Sequence, residues 1–384
     1  MMRSKDDAPS GPPQLIFAGG GTGGHIYPAL AIAEQAREID PEVGTHFVVS
    51  KRPVDASILD PERVAYTPIP ACPPIGKPIP ALRFALSWIP AVRATKRVLR
   101  MHEREGPTVL VAMGGFVCAP AVAAAQSMRL PVVLVNLDAV PGKANRHVSR
   151  HAERVWSACA TDQNWDEVGP IVRKSLTDIA SPMEARKRFG LDASTRTFLV
   201  TGGSQGAKSI NDLMLKLLAD HHGSFDGWQA IHQTGGQHDP APIRVAYERA
   251  GIRAWTDRYI GDMPGAWAAA DLSIGRCGAG TVAEAWATRT PAVFFPYPYH
   301  ADDHQRHNAR PLARLGAALV LDDHVEPAKN ALDHGSTILA LLTDPSRLDA
   351  LREPALRLPP VDGAAQIARC LTDRLRSGHY PDDA

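Results

Sequence analysis

The chain has 384 residues, of which 44% are hydrophobic and 22% are charged, and its formal net charge is +1. This length predicts two or three domains, and the apolar fraction is sufficient for ordinary globular cores. The near-zero net charge removes any global electrostatic reason to expect a nucleic-acid-binding protein, although it is compatible with a local basic patch.

Cysteine usage and the N-terminal segment indicate the cellular setting. The five cysteines are scattered and include no CxxC pair, which argues against a disulfide framework or a zinc site and favours a reducing cytoplasm. Residues 1–13 combine charges with Ser, Gly and Pro, which predicts a disordered extension rather than a signal peptide. No run of about 18 uninterrupted apolar residues occurs, so we expect no membrane span.

Apolar runs, glycine turns and helical patterns alternate along the first half, which is typical of a parallel α/β sheet. The run Gln14–Ala18 leads into Gly19–His25, where five of seven residues are glycine. Pro28 suits a first helical turn and predicts a helix over Pro28–Ile39. The other strands of this half are predicted at His46–Ser50, Thr108–Ala112, Pro131–Val135 and, as the last one, Arg154–Trp156.

The same pattern restarts near Thr197 and predicts a second domain of the same class. Its strands are predicted at Phe198–Thr201, Gln229–Thr234, Ala254–Ile260, Leu272–Ile274, Ala292–Phe295 and Ala318–Leu321. We place the first domain at residues 14–167 and the second at 168–360, with the boundary near residues 166–175. Residues 361–384 include a helical pattern that either caps the second half or crosses back to the first.

A glycine turn between a strand and a helix occurs twice, at Gly19–His25 and at Gly202–Ala207. Glycines let backbone N–H groups approach a ligand closely, and the following helix N-terminus favours negative charge. We therefore predict an α/β fold with two Rossmann-like halves whose ligand-binding edges are available to face one another. In the second turn, Ser204 and Gln205 can join backbone amides around a diphosphate without a metal. This turn lacks the Gly-Lys-Ser/Thr of a Walker A loop, and a nicotinamide site fits poorly.

Two ionisable side chains stand at predicted helix starts. His25 opens the helix after the first turn, where the helix dipole favours a neutral imidazole, and it is a candidate general base. The alternative for His25 is a capping or packing histidine. Glu284, three residues after Thr281, is expected in a first helical turn, where its carboxylate can accept hydrogen bonds from ribose hydroxyls. The alternative for Glu284 is an ordinary first-turn glutamate that complements the dipole.

The stretch Pro296–Asn308 is rich in histidine and also carries Asp302-Asp303. Its histidines, which could share a helix face, are His300, His304 and His307. A metal site needs a dry, converging set of three or four ligands. Because the stretch follows a proline-rich loop and is typical of an exposed helix start, we interpret it as metal-free, with Gln305 and Asn308 as polar sugar contacts.

Residues 73–100 interleave apolar anchors with cations. The apolar members are Ile75, Ile79, Leu82, Phe84, Leu86, Trp88 and Ile89, and the cationic members are Lys77, Arg83, Arg93, Lys96, Arg97 and Arg100. Such a mixture predicts a surface that can rest in anionic lipid headgroups. The alternative is a core-facing helix with a solvated basic face.

Taken together, these motifs resemble those of glycosyltransferase family 28, the family of MurG-type N-acetylglucosamine transferases. In the first half, the motifs that carry the resemblance are Gly20–His25 with Pro28–Ala31, Gly114–Phe116, and Ala139–Gly142 with Asn145-Arg146. In the second half they are Gly202–Ala207, Gly278–Thr281 with Glu284, and His304-Gln305 with Asn308-Ala309. The motifs span most of the chain in the family's order.

The resemblance implies a GT-B fold, in which two Rossmann-like domains face one another across a cleft. The lipid-linked acceptor binds mainly to the first domain and the nucleotide sugar mainly to the second. The implied reaction is an inverting, metal-independent transfer of N-acetylglucosamine from UDP-N-acetylglucosamine to the 4-hydroxyl of undecaprenyl-diphospho-muramoyl-pentapeptide. No cofactor is implied. The enzyme is expected at the cytoplasmic face of the bacterial plasma membrane, in peptidoglycan synthesis.

The resemblance also assigns roles by motif position. His25 is the implied base, Arg173 adds charge at the diphosphate, and the main chain at Ile260 reads uracil. The implied donor-binding set is Thr22, Gly23, Gly24, Arg173, Gly203, Ser204, Gln205, Gly206, Ile260, Met263, Gly278, Thr281, Glu284, His304, Gln305 and Asn308. The acceptor-binding set is Gly20, Gly21, Gly115, Phe116, Asn136, Asp138 and Gly142, and the membrane-docking set is Ile75, Lys77, Ile79, Phe84, Trp88 and Arg93.

The chain departs from the family pattern mainly in the acceptor half. Where the family usually has His-Glu-Gln-Asn, this chain has Val135–Asp138, so the carboxylate expected at Asn136 is absent and Asp138 replaces an amide. In the donor half, Cys277 replaces a serine and Thr288–Pro291 replaces a glycine-containing turn. Three hypotheses follow: the transfer described above, transfer from the same donor to another glycolipid or metabolite, and a non-catalytic nucleotide-sugar-binding relative.

Overall fold

The computed structural model describes residues 11–73 and 78–381, and for residues 78–83 it describes the backbone alone. Within these residues the chain forms two compact units, one ending at Arg173 and resuming at Asp362, the other spanning Lys174–Val361. Residues 168–173, which we assigned to the second domain, therefore belong to the first unit. Most of the predicted N-terminal extension, residues 1–10, lies outside the described residues.

The sheet of the first unit has seven strands among the described residues. They are β1 Gln14–Ala18, β2 Gly44–Ser50, β3 Tyr66–Ile69, β4 Thr108–Ala112, β5 Val132–Asn136, β6 Arg154–Ser157 and β7 Asp166–Glu167. All neighbours pair in parallel, in the order β3-β2-β1-β4-β5-β6-β7. Every residue of β1, β4 and β5 is buried, because helices cover both faces of such a sheet.

Among the described residues, five α-helices connect these strands along the chain. They are α1 Gly23–Ile39, α2 Pro53–Glu62, α3 Pro78–Glu105, α4 Cys118–Met128 and α5 Lys143–Val148. The predicted helix start at Pro28 is wrong, since α1 begins at Gly23 and Pro28 lies inside it. A proline this close to a helix N-terminus removes only one hydrogen bond, so the helix extends across it.

Two short edge strands of this sheet were not predicted. β3 contains Pro68, which a central strand would exclude but an edge strand tolerates. β7 has only two residues and follows β6, so the prediction that Arg154–Trp156 is the last strand of this half is wrong. Neither segment has the length or the apolar run that reveals a strand in sequence.

The second unit repeats the design with six parallel strands. They are β8 Arg196–Thr201, β9 Trp228–Gln233, β10 Ala254–Asp257, β11 Leu272–Gly275, β12 Ala292–Phe294 and β13 Ala318–Val320, in the order β10-β9-β8-β11-β12-β13. Its helices are α6 Pro182–Arg188, α7 Lys208–His221, α8 Ala241–Arg249, α9 Met263–Ala269, α10 Ala279–Thr288, α11 His304–Arg314, α12 Pro327–Thr343 and α13 Pro345–Leu356. The six strands confirm the predicted positions to within a few residues.

The last helix, α14 Gly363–Ser377, packs against α1 and belongs to the first unit. Its buried face carries Ile367, Ala368, Leu371 and Leu375 at helical spacing. Of the two placements that the sequence left open, the structure shows the return to the first half. No helix in the described part of the chain is long and apolar enough to cross a membrane.

The strand order places a switch point in each sheet. In the first sheet the connections run outward in opposite directions from β1 and β4, and in the second from β8 and β11. Ligands of open α/β sheets bind at the carboxyl ends of the strands beside such a point. Both predicted glycine turns stand there, since one follows β1 and the other follows β8.

Candidate functional site

The turn after β1 is held by a buried carboxylate. Asp55 of α2 has no exposed surface, and its two oxygens lie 2.8 and 2.9 Å from the Gly21 nitrogen, which donates to them. Ser50 donates to the same carboxylate from its nitrogen (2.9 Å) and its hydroxyl (2.6 Å). A Cβ on Gly20 would lie 2.6 Å from Asp55 Oδ2, so only glycine fits beside this group. Asp55 therefore fixes the path of the turn.

His25 is the third residue of α1, and its ring lies against the backbone after β4. A Cβ on Gly114 would be 3.2 Å from His25 Nε2, and one on Gly115 would be 3.1 Å from Cε1. Both glycines have positive φ, which side chains rarely adopt. The hydroxyl of Thr22 is 3.4 Å from His25 Nδ1. These contacts orient the imidazole at the switch point.

Burial lowers the pKa of His25, although Asp138, a hydrogen bond with the Gly20 backbone, and Asp55 oppose this shift. A lowered pKa keeps the imidazole neutral at neutral pH, as a general base requires. Because Asp138 acts on His25 electrostatically, it supplies negative charge near the imidazole. The family pattern places its carboxylate at position 136, and this chain has one at position 138 instead.

Asn136 holds the segment that carries Asp138. Its side-chain nitrogen donates to the Asp138 carbonyl (2.8 Å) and to the Ser157 hydroxyl (3.0 Å), and its oxygen accepts from Asn145 (3.0 Å). Asn136 is fully buried, so we interpret it as a structural amide. Its predicted contact with the acceptor finds no support in this geometry.

Two further residues of the predicted acceptor set lie on the same edge. The Phe116 ring lies beside the first turn, since a Cβ on Gly21 would be 2.6 Å from it. The guanidinium of Arg52 lies 5.1 Å from the Phe116 ring centroid and donates to the Gly21 carbonyl (3.1 Å). Gly142 precedes α5 as its N-cap residue. Phe116 and Arg52 thus cover one side of the first turn.

The turn after β8 has the form of an anion site. Gly203 and Gly206 have positive φ, and a Cβ on Gly206 would lie 2.2 Å from the Thr234 carbonyl oxygen. The turn leads into α7, a helix of 14 residues whose N-terminus favours an anion. The Ser204 carbonyl accepts from the Gly236 nitrogen (3.0 Å), and the exposed Gln205 side chain accepts from Gln237 (3.1 Å).

Glu284 lies in the helix α10 that follows β11, but not in its first turn as predicted. The helix α10 begins at Ala279 after the N-cap Gly278, so Glu284 is its sixth residue. Its carboxylate accepts a hydrogen bond from the Trp267 indole of α9 (2.9 Å). Burial raises the pKa of Glu284 to about 7, and the Trp267 bond opposes the rise. Glu284 is thus a half-buried group that titrates near neutral pH.

Of the remaining predicted donor contacts, Thr22, Gly23 and Gly24 lie in the first unit at the start of α1, and the others lie along the edge of the second sheet. His304 and Gln305 are the first residues of α11, after β12, and Gln305 accepts from the Tyr297 nitrogen (2.9 Å). The expectation that His300 shares a helix face with His304 and His307 is wrong, because His300 lies before α11. The other members of the set in the second unit are Ile260, buried after β10; Met263, which begins α9; Thr281, in α10; and Asn308, buried in α11.

Arg276 contacts residues of three elements at this edge, and no motif in the sequence indicates this role. Its guanidinium donates to the Phe295 carbonyl (2.9 Å) and to the Ser209 hydroxyl (3.0 Å). It also pairs with the fully buried carboxylate of Asp323 (2.7 Å). No local motif predicted this pair or Asp55, because the partners are distant in the sequence.

Arg173 lies in the first unit, where it pairs with Glu62 of α2 and lies 3.5 Å from Glu34 of α1. Burial lowers the pKa of Arg173, but the two carboxylates outweigh it and raise the pKa overall. Its charge is therefore compensated locally. These contacts give no support to the predicted role of Arg173 at the donor diphosphate.

The fold and the edge residues define a class. Two Rossmann-like units with parallel sheets, each with a glycine turn at its switch point, have the architecture of GT-B glycosyltransferases. Residues 15–157 match the glycosyltransferase family 28 N-terminal domain, and residues 197–348 match the glycosyltransferase family 28 C-terminal domain. The chain belongs to glycosyltransferase family 28.

The similarity to known proteins extends over nearly the whole chain. The UDP-N-acetylglucosamine--N-acetylmuramyl-(pentapeptide) pyrophosphoryl-undecaprenol N-acetylglucosamine transferase of Chlorobium phaeobacteroides is 35% identical over 92% of this chain and 97% of its own length. The protein of the same name from Nocardioides sp. is 34% identical over 94% and 98%. The crystal structure of Acinetobacter baumannii MurG has a TM-score of 0.66 at 23% identity, covering 94% of this chain and 99% of that one. The Staphylococcus aureus MnaA–UDP structure, with a TM-score of 0.63 at 9% identity over 96% and 98%, shares the fold.

Proposed function

We propose that this protein transfers N-acetylglucosamine from UDP-N-acetylglucosamine to the 4-hydroxyl of a lipid-linked N-acetylmuramoyl-pentapeptide. The observation that carries the proposal is the 35% identity, over nearly the full length of both chains, to transferases named for this reaction. The site is compatible with it, because a candidate base and a candidate diphosphate turn stand at the switch points of two separate Rossmann-like sheets.

In the proposed mechanism, His25 removes the proton from the acceptor hydroxyl as that oxygen attacks the anomeric carbon of the sugar. The bond from this carbon to the UDP oxygen breaks from the opposite face, so the configuration inverts. The backbone amides of Gly202–Ala207 and the N-terminus of α7 stabilise the negative charge of the departing UDP. The hydrogen bonds that Gly21 and Ser50 donate to the Asp55 carboxylate, which we call the Asp55 clamp, hold the turn that precedes His25. This clamp and the Gly114–Gly115 backbone keep the imidazole oriented throughout.

The direct test is transfer of labelled N-acetylglucosamine to a short-chain lipid-linked muramoyl-pentapeptide, with EDTA present. Formation of the disaccharide product under these conditions is the expected result, since the turn needs no metal to hold a diphosphate. Binding of UDP without product would contradict the proposed acceptor. A panel of other glycolipid and metabolite acceptors then tests the second candidate, which the Val135–Asp138 departure favours.

UDP affinity is expected to fall as the pH is lowered through about 7. A carboxylate accepts hydrogen bonds from both ribose hydroxyls, whereas a protonated Glu284, whose pKa is about 7, accepts them less well. Binding near pH 7 should therefore release protons. Calorimetry in two buffers of different ionisation enthalpy measures this release. The Glu284→Gln variant corrects for titration of UDP itself, and equal proton release by variant and wild type would contradict the assignment.

We also propose that the start of α3 docks on an anionic membrane surface. Leu86 and Ile89 are 68% and 57% exposed, and Phe84 and Trp88 pack together with ring centroids 5.6 Å apart. The exposed Arg93 lies one turn further along. Within residues 91–102, by contrast, one face of the helix is buried at regular helical spacing. The alternative of a core-facing helix with a solvated basic face therefore applies to this later part of α3. Ile75 and Lys77 lie outside the described residues, as does the side chain of Ile79.

Replacing Leu86 and Ile89 together by serine is expected to weaken binding to phosphatidylglycerol vesicles by about tenfold or more, because two apolar anchors are lost. Cosedimentation with lipid measures the effect. Leu332→Ser is the matched control, since Leu332 is 82% exposed on α12 of the other unit. An equal loss in the control, or none in the double variant, would contradict this docking surface.

A further inference from the structure

The loop between β12 and α11 brings a set of potential metal ligands together. His300, Asp302 and His304 each offer one ligand atom, and these three atoms all lie within 4.8 Å of one another. His304 Nδ1 is 2.9 Å from Asp302 Oδ1, and the rings of His300 and His304 stack with centroids 4.3 Å apart. Tyr297 packs edge-on against His300 at 4.7 Å. Two imidazoles and a carboxylate are thus gathered by contacts within the loop.

The spacing of these atoms is close to that of a metal site. A triangle with sides of 4.8 Å places each corner about 2.8 Å from its centre, whereas Zn²⁺ binds such ligands at about 2.0–2.2 Å. Closing on an ion therefore needs shifts of less than about 1 Å per ligand. His300 and Asp302 are exposed and His304 is half-buried, so surface side chains make these shifts.

The ligand chemistry selects the class of ion. Asp302 supplies a carboxylate oxygen, and His300 and His304 supply imidazole nitrogens. Two imidazole nitrogens with one carboxylate suit Zn²⁺, Ni²⁺ or Cu²⁺ better than Mg²⁺, which prefers oxygen ligands and keeps its waters. Water would complete the coordination of an ion at this exposed position.

We propose that His300, Asp302 and His304 form an inhibitory site for a divalent transition-metal ion, which removes His304 from the donor sugar when it binds. The inhibitory effect rests on the proposed function, in which His304 contacts that sugar. Gln305, the other proposed sugar contact of this segment, is bonded to Tyr297 at the start of the same loop. The loop and the first turn of α11 together therefore carry the sugar contacts and the metal ligands, and the two occupants compete. The ion takes no part in the transfer itself.

Binding is tested with Zn²⁺ alone, titrated by calorimetry into the EDTA-treated and desalted full-length protein. We expect a saturable site whose affinity falls at least about tenfold in His300→Ala and in Asp302→Asn, since the loss of groups merely supporting a ligand already costs that much. His324→Ala is the matched control, because His324 faces a single carboxylate, Asp333, at 2.9 Å. Unchanged zinc affinity in both loop variants would overturn the site.

Inhibition is tested separately in the transfer assay. Zn²⁺ should raise the KM for UDP-N-acetylglucosamine in the wild type, EDTA should reverse the rise, and the His300→Ala variant should resist it by the factor lost in binding. His300 and Asp302 both contact His304, so the zinc effect in each variant is measured relative to that variant's own zinc-free rate. Zinc binding without inhibition would overturn the inhibitory role. Absence of any transfer would count against the proposed function and leave the binding result standing.

Discussion

Replacement of His25 by alanine is expected to lower kcat by about 10²–10⁴-fold, the contribution typical of a positioned general base. The imidazole is oriented by Thr22 and by the Gly114–Gly115 backbone, and burial keeps its pKa below the ordinary value of 6.5. UDP affinity should hardly change, because the diphosphate turn belongs to the other unit. Single-turnover transfer and UDP calorimetry measure the two quantities.

The pH profile provides a second measurement of the same group. A base must be unprotonated, and a lowered pKa keeps it so to lower pH, so kcat of the wild type, measured at saturating donor, should fall only below pH 6.5. This acidic limb should vanish in His25→Ala. A variant that keeps kcat within about threefold, with an intact circular dichroism spectrum, would rule out His25 as the base.

Comparison of Asp55→Asn with His25→Ala separates the positioning of the base from the proton transfer itself. Asp55→Asn leaves the base in place but cannot accept all the donors that converge on the carboxylate, so we expect a loss of about 10–100-fold, typical of a misplaced catalytic group. This variant should retain the acidic limb, since His25 still acts. His147→Ala, at an exposed position of α5, is the control and should behave as the wild type.

Replacement of Asp323 by alanine is expected to lower the free energy of unfolding of the second unit by about 3–5 kcal/mol, as when one partner of a buried ion pair is removed. The carboxylate is fully buried, pairs with Arg276, and accepts from Ser209 (2.5 Å) and from Asn330 (2.9 Å). The nitrogen of Val325 is a third donor (2.8 Å). The substitution leaves the guanidinium of Arg276 without its counter-charge. It also leaves the three hydrogen-bond donors without an acceptor.

Thermal unfolding measures this loss, and the midpoint should fall by on the order of 10 °C. Asp322→Ala is the matched control, because the neighbouring Asp322 is 68% exposed where it pairs with Arg306 and should change stability by no more than about 0.5 kcal/mol. Equal effects of the two substitutions would contradict a structural role for the buried pair.

The pH dependence of this contribution also has a defined sign. Burial raises the pKa of Asp323, but the hydrogen bonds from Ser209, Asn330 and Val325, together with the charge of Arg276, outweigh it and lower the pKa overall. A carboxyl with a lowered folded-state pKa stabilises the fold above its unfolded pKa of about 3.8. The stability difference between wild type and Asp323→Ala should therefore persist at pH 5 and shrink below pH 3.8.

The fold class was predictable because its signals are local. β1, β4 and β5 are continuous apolar runs, which parallel strands need when both faces are covered, and the glycine turns follow β1 and β8 directly. The elements that were missed or misplaced lack such signals. β3 carries a proline, β7 has two residues, and α1 extends through glycines and Pro28.

The candidate site was predictable only in part. The diphosphate turn and His25 are marked by their glycine-rich surroundings, so both were found in the sequence. Asp55 was missed, because no local pattern distinguishes it from the other aspartates. Its contact with Gly21, 34 positions away, forms only in the folded chain. Glu284 was chosen for its spacing from a glycine loop, yet its contact with Trp267 and its pKa near 7 depend on how α9 and α10 pack.

The sequence by itself thus determined the α/β class, the two glycine turns, the family and the choice of His25 as the candidate base. Only the tertiary structure decided the return of α14 to the first unit, the Asp55 clamp, the Arg276–Asp323 pair and the proximity of Asp138 to His25. The physical reason is that apolar periodicity and glycine turns act within a few residues along the chain. Desolvation, charge and hydrogen bonding at a site depend instead on groups from separate strands and helices, which meet only when the sheet has formed.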